Sequence, residues 1–291
     1  MKPRLRRLTL AIPLLIVLGG VSHAFESDRL SVERSGSDSG SAILLVPGLN
    51  SSPRVWDDML ENLHGFDIHR VHVRGFAGLP ADANASGDIL PALAEEIARY
   101  IEEEDLENLT LAGHSMGGLV ATMLASRHPH LVDRLMVIDI PAYFGDIMGI
   151  GPDQIAAVAE TMREAALSKS VEERDSAEIA FIEAGVLAET QRPIAIEDMR
   201  SSDPGVAAQA LYEVMVTDLR QELVNIAAET IVVFVQPAQA PEMSPEAVTG
   251  FYMSQYGTIP DVTFEYLPDS GHFVMLDQPR RLAELIEELV R

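Results

Sequence analysis

Short, unbroken apolar runs separated by helical segments constrain this chain most. Ser41–Val46 (SAILLV) and Leu135–Ile140 (LMVIDI) are apolar but for the leading Ser41 and for Asp139. Such runs have strand length and suit parallel strands buried on both faces. Ile68–Val73 and Leu109–Ala112 are two more candidate strands. Between the first two runs, Ser52-Pro53 reads as a helix N-cap and first helical residue. That helix is expected to run to about Asn62, with Val55, Met59 and Leu63 on one face. Ile89–Glu104 is amphipathic, since Leu90, Leu93, Ile97 and Ile101 recur at helical spacing. A further helix is expected from the glycines after Ala112 to about Arg127. The strand–helix alternation predicts an α/β chain with a mostly parallel sheet and helices on both of its faces.

Residues 142–225 break the alternation. The stretch holds no convincing strand, is rich in Ala, Glu and Met, and is punctuated by Pro152, Pro193 and Pro204. It reads as a helical insertion. Alternation resumes with a strand at Thr230–Val235, a helix at Pro245–Tyr256, a strand at Val262–Leu267 and a closing helix at Pro279–Val290. Leu30 and Val32 alternate with polar neighbours, which predicts a short edge strand. The expected organisation is a core of residues 25–141 and 226–291 interrupted by residues 142–225.

Residues 1–24 read as an export signal. Lys2, Arg4, Arg6 and Arg7 precede an apolar run, Leu8–Val21, and Ser22-His23-Ala24 offers small residues where a signal peptidase reads. The run is shorter than the about 20 residues a spanning helix needs; a retained anchor is the alternative. The mature chain is expected to begin near Phe25 and to be periplasmic or secreted, without stable membrane insertion. The chain has no cysteine, which excludes disulfides, thiolate metal sites and a cysteine nucleophile. Its formal charge of −24 repels phosphate backbones, so nucleic acid is not an expected partner. No cluster of His, Asp and Glu has metal-ligand spacing, and neither metal nor cofactor is expected.

The sharpest motif is Gly113-His114-Ser115-Met116-Gly117-Gly118 between a candidate strand and a candidate helix. A serine on such a turn is strained and raised above the sheet, and the flanking glycines relieve clashes with neighbouring elements. The helix N-terminus behind it favours developing negative charge. Ser115 is the candidate nucleophile. A serine nucleophile needs a base, and His272 is the candidate: it follows a strand and Gly271, at the sheet edge where Ser115 emerges. His114 is expected to point away from Ser115. His69 and His72 read as structural, and His128 and His130 as solvated. The N–H of Met116 and an N–H in the loop Pro47–Ser52, assigned to Leu49, are the expected oxyanion donors.

With PGLNSS, GFAG, GHSMGG and SGHF in this order over residues 40–291, the chain resembles the α/β-hydrolase superfamily. The resemblance implies an eight-stranded, doubly wound sheet, a Ser-His-acid triad, and a lid at residues 142–225 with the site beneath it. Members usually carry His-Gly after the first strand, where this chain has Pro47-Gly48. Many place the acid after the strand following the lid. Here that loop reads Gln236-Pro237-Ala238-Gln239-Ala240-Pro241, with no carboxylate before Glu242. Other members place the acid after the strand preceding the lid, which holds Asp139. Asp139, Glu242 and Asp218 are therefore the candidate acids. Asp218 also opens a capping-box pattern, and Asp277 reads as a cap of the last helix.

The expected activity is hydrolysis of small or hydrophobic carboxylic esters through an acyl-enzyme, with a small molecule as substrate. Cofactor-free haloperoxidase or perhydrolase chemistry on the same residues is one alternative. A catalytically silent binding protein with this fold is another. Members acting as dehalogenases and epoxide hydrolases carry Asp where this chain has Ser115, which disfavours those chemistries.

Overall fold

The computed structural model describes residues 25–37, 40–238 and 240–291; the expected signal segment, residues 1–24, lies outside them. The chain begins with β1 (Leu30–Gly36), β2 (Ala42–Val46), the short helix α1 (Asp57–Leu60) and β3 (Asp67–Val73). Then come α2 (Leu90–Glu103), β4 (Thr110–His114), α3 (Met116–Arg127) and β5 (Arg134–Ile138). Four helices follow without an intervening strand: α4 (Pro152–Ser168), α5 (Val171–Gly185), α6 (Arg192–Arg200) and α7 (Pro204–Val216). The chain closes with β6 (Glu229–Val235), α8 (Pro245–Tyr256), β7 (Val262–Leu267), α9 (Val274–Asp277) and α10 (Pro279–Val290).

The strands form one sheet in the order β1-β3-β2-β4-β5-β6-β7. Every neighbouring pair is parallel except β1 with β3. Among the described residues the sheet has seven strands, not the eight that the resemblance implied. The described residues before β2 supply a single strand, and it takes the edge position, antiparallel to β3. Alternate residues of each central strand feed two separate cores. Leu44, Val46, Leu135, Val137, Val232 and Phe234 face α2, α3 and α8. Ile43, Leu45, Met136, Ile138, Val233 and Val235 face α1, α9 and α10. This two-sided burial is why the strands read as continuous apolar runs.

Local chemistry sets the element ends. Ser52 caps as expected, its Oγ accepting from Arg54 N, but Pro53–Trp56 is a 3₁₀ turn and the α-helical part ends at Leu60. Ser170 and Glu173 form a reciprocal capping box at the start of α5. The first turn of α2 has no cap of its own. Glu213 of α7 supplies one, its carboxylate accepting from the Ile89 and Leu90 N–H groups at 2.7–2.9 Å. A carboxylate there satisfies orphan donors and the positive helix end together. Among the described residues no helix is long and apolar enough to cross a membrane.

Candidate active site

The centre of the site is the turn between β4 and α3. Ser115 sits at φ 52°, ψ −122°, a conformation an L-residue adopts only under constraint. Two close approaches impose it. A Cβ on Gly113 would lie 2.2 Å from Gly117 O, and one on Gly117 would lie 2.3 Å from Val46 O. No side chain fits either position, so the glycines let the strand turn directly into the helix. Ser115 N–H donates to Ile138 O at 2.9 Å, which ties the turn to the neighbouring strand end.

Asp139 directly follows β5. Its φ of 50° ends the strand, a conformation Asp tolerates better than most residues. Its N–H donates to Val233 O at 2.8 Å. Its Oδ1 accepts from Val235 N–H at 3.2 Å and from the Tyr252 hydroxyl at 3.0 Å. Its Oδ2 meets His272 Nδ1 at 2.7 Å. Of the three candidate acids, the structure brings Asp139 alone to the imidazole. Glu242 is exposed on its loop. Asp218 holds the Arg220 guanidinium through both oxygens, at 2.6 and 2.8 Å, and accepts from the Arg220 N–H at 3.2 Å; no α-helix begins there, so it caps a turn and not the expected helix.

His272 lies in the loop between β7 and α9, with a quarter of its side chain exposed. Gly271 N–H donates to Asp277 Oδ2 at 2.7 Å, and Ala188 N–H donates to the other oxygen of the same carboxylate, also at 2.7 Å. Asp277 therefore braces the histidine loop against the helical insertion and does not cap the last helix. Phe273 N–H donates to Gly185 O at 3.0 Å, joining that loop to the end of α5. Phe181 of α5 stands edge-on to the His272 ring, centroids 6.0 Å apart, and is 45% exposed.

Leu49 belongs to a turn closed by Ser51 N–H to Gly48 O at 3.3 Å. Asn50 occupies its third position at φ 58°, which a type II turn reserves for Gly or Asn. Met116 is the first residue of α3. Neither the Leu49 nor the Met116 N–H is engaged by an acceptor among the described residues. The Leu49 turn is held from outside by α6. Asp198 Oδ2 accepts from Ser52 N–H at 2.8 Å and from its hydroxyl at 2.6 Å, and Asp198 Oδ1 accepts from Arg54 at 2.6 Å.

Two features escaped the sequence reading. The His114 Nε2 meets the His272 carbonyl at 2.8 Å, and the two rings lie 4.6 Å apart. Full burial, with His272 alongside, pushes the His114 imidazole well below its ordinary value, so it is neutral. Tyr252 had no signal in the sequence, because its partner lies 113 residues away. Burial, and then the Asp139 charge, push its phenol well above the ordinary value, which keeps it a donor. His69 and His72 are structural as expected, bonded to the Tyr100 hydroxyl and the Phe76 carbonyl. His130 is exposed, whereas His128 is only part-exposed and reaches Glu95 at 3.1 Å.

Comparison with known proteins agrees with this architecture. The chain is 29% identical over 117 residues to epoxide hydrolase 2 of Caenorhabditis elegans, covering 40% of this chain and 33% of that protein. It spans about two fifths or less of the length of the first curated relatives it matches (33%, 39% and 37%). A longer match joins it to the pimeloyl-[acyl-carrier protein] methyl ester esterase of Aromatoleum aromaticum. That match is 24% identical and covers 86% of this chain and 98% of the relative. Among solved structures, an esterase from Exiguobacterium antarcticum superposes with a TM-score of 0.73 at 22% identity, covering 90% of this chain and 95% of that one. The family model described as the alpha/beta hydrolase family matches residues 43–285, from β2 into α10, and the chain belongs to that family.

Proposed function

We propose that this hydrolase is a serine esterase that cleaves carboxylic esters through an acyl-enzyme. The observation that carries the reading is the 2.7 Å hydrogen bond from His272 Nδ1 to Asp139 Oδ2, at the edge where Ser115 turns out of the sheet. With its Nδ1–H donating to the carboxylate, neutral His272 keeps an unprotonated Nε2. Ser115 Oγ attacks the ester carbonyl while Nε2 takes the hydroxyl proton. Asp139 stabilises the resulting imidazolium. The Met116 and Leu49 N–H groups receive the oxyanion. Collapse of the tetrahedral intermediate breaks the bond to the alcohol, which leaves with the proton from Nε2. Water then repeats the sequence on the acyl-enzyme, with His272 again as base, and releases the acid and free Ser115. The chemistry calls for no cofactor.

Helices α4–α7 act as a lid in this reading. The exposed Phe181 ring beside His272 supports small or hydrophobic esters as substrates. The basic and apolar pattern of residues 1–24 supports action outside the cytoplasm. The deciding experiment is labelling by a fluorophosphonate, read by intact mass, of wild type, Ser115→Ala and His272→Ala. Labelling of wild type alone, followed by turnover on an ester panel, is the expected result. A folded wild type that takes no label would refute an activated serine.

A further inference from the structure

We infer that His114 is a positioning residue, a neutral spacer that sets the distance between the loops carrying nucleophile, oxyanion donor and base. The inference rests on the serine-hydrolase reading and assigns a part to a residue which that mechanism does not use.

Three contacts carry it. First, His114 directly precedes Ser115 in the chain, so any shift of its backbone is a shift of the nucleophile. Second, its Nε2–H donates to the backbone carbonyl of His272 at 2.8 Å, which fixes the main chain from which the base projects. Third, its other edge abuts Gly48, next to Leu49. A Cβ on Gly48 would lie 2.8 Å from His114 Nδ1 and 3.3 Å from Ser115 Cβ. The ring therefore fills the space between the oxyanion loop and the histidine loop, with the serine at its side.

The chemistry of the ring fits a spacer and not a second base. His114 is 1% exposed, and its Nδ1 is buried with no hydrogen-bond partner among the described residues. An unpaired buried nitrogen costs stability, and an apolar residue would avoid that cost. What an apolar residue lacks is the donor on the opposite edge. Neutrality matters too. A cation here would stand 4.6 Å, ring to ring, from the imidazolium that His272 becomes during the reaction. The desolvated site keeps His114 uncharged.

The test compares wild type with His114→Phe, which keeps the volume without the donor, and His114→Gln, whose amide N–H can stand where Nε2 stands. The readouts are the rate of fluorophosphonate labelling, kcat and KM on p-nitrophenyl acetate, and the thermal midpoint. For His114→Phe, labelling and kcat are expected to fall by about 10- to 100-fold with KM within about twofold, because misplaced reacting groups cost rate more than binding. His114→Gln should recover most of that loss. If His114→Phe does not fold, His114→Asn, too short to reach the His272 carbonyl, takes its place in the comparison with Gln. Equal rates in the variants and wild type, with wild type labelled, would overturn the spacer and leave the hydrolase reading standing. A loss that Gln does not recover would also overturn it. An unlabelled wild type would overturn both.

Discussion

The Tyr252 hydroxyl donates to Asp139 Oδ1 at 3.0 Å, on the carboxylate whose other oxygen holds His272. Tyr252 reaches it from α8, its ring stacked on Phe234 at 4.4 Å between centroids. An adjacent aromatic on the same helix, Tyr256, donates to Ile140 O at 2.9 Å. The helix after β6 thus holds the loop after β5, and the proposed acid is oriented by a neighbour given no chemical step. Tyr252→Phe keeps the stacking and loses the donor. Its expected cost is about 1.5–3 kcal/mol of stability, the range for a hydrogen bond to a charged group. The effect on kcat should stay within about tenfold, since a factor of ten is only about 1.4 kcal/mol of barrier. Asp139→Asn should behave in the opposite way. The amide favours the wrong imidazole tautomer, so kcat is expected to fall by about 10⁴-fold, while folding loses only the charge-assisted part of the Tyr252 hydrogen bond. Urea unfolding beside ester turnover separates the two variants; equal losses of kcat would refute the assigned roles.

Gly117→Ala tests the elbow from the packing side. Its Cβ would meet Val46 O at 2.3 Å and Pro47 O at 2.5 Å. Both are backbone atoms of β2 and its exit loop, so neither can swing aside. Overpacking typically costs about 1–3 kcal/mol, and a rigid neighbour places this variant at the upper end. Chemical denaturation should show that loss. A variant as stable as wild type would mean that α3 and the end of β2 can separate without penalty.

Much of this was legible because it is local. Strand runs such as Ala42–Val46 are apolar on both faces whatever lies beside them, and Gly113-x-Ser115-x-Gly117 encodes its own turn. The order of loops along one sheet edge then predicts that His272 can approach Ser115. What stayed hidden is long-range. Asp277 looks like a cap because it precedes a helix, yet its oxygens bind Gly271 and Ala188. Asp218 matches a capping pattern, yet Arg220 takes its charge. His114 turns inward because a glycine at position 48 leaves it room, and no pattern at position 114 carries that information. Among the described residues the sheet has one strand fewer than the resemblance implied for the same reason: a family's usual count is no property of these residues.

Asp198 couples the helical insertion to the loop of the proposed oxyanion donor. It is 1% exposed, and its carboxylate takes both Ser52 groups and Arg54. Asp198→Ala leaves a buried N–H and hydroxyl without their acceptor. The expected destabilisation is about 2–3 kcal/mol, with Arg54 adding little because its half-exposed guanidinium can turn to water. The Leu49 turn should also loosen. Hydrogen exchange over residues 47–56 is the direct readout, with faster exchange there than in β6 or β7 expected. Unchanged exchange in that segment would mean that the insertion does not hold the loop.

Stability should fall on the acid side of neutrality. Burial holds His69, His72 and His114 below the ordinary histidine value of 6.5. Each therefore binds a proton less readily folded than unfolded. Unfolding takes up protons once the pH drops below about 6.5, so the neutral form's stabilisation is complete above that value. It is lost as the pH falls toward the folded-state values. For the two fully buried rings, His69 and His114, the slope approaches about 1.4 kcal/mol per pH unit each. Glu178 acts in the other direction, since desolvation raises it above 4.5 and its contribution is lost as the pH rises through the folded value. It is one part-exposed carboxylate against three imidazoles. The lowered carboxylates Asp67 and Glu222 lose their contributions only below their ordinary values of 3.8 and 4.5, outside this window. Urea unfolding at pH 7.5, 6.5 and 5.5 should show a slight fall in stability over the first interval and a clearly steeper one over the second. His69→Phe should flatten the decline by one histidine's share, while losing the Tyr100 hydrogen bond at every pH. Stability that holds or rises from pH 6.5 to 5.5 would mean that these imidazoles find protons in the folded protein as easily as in water.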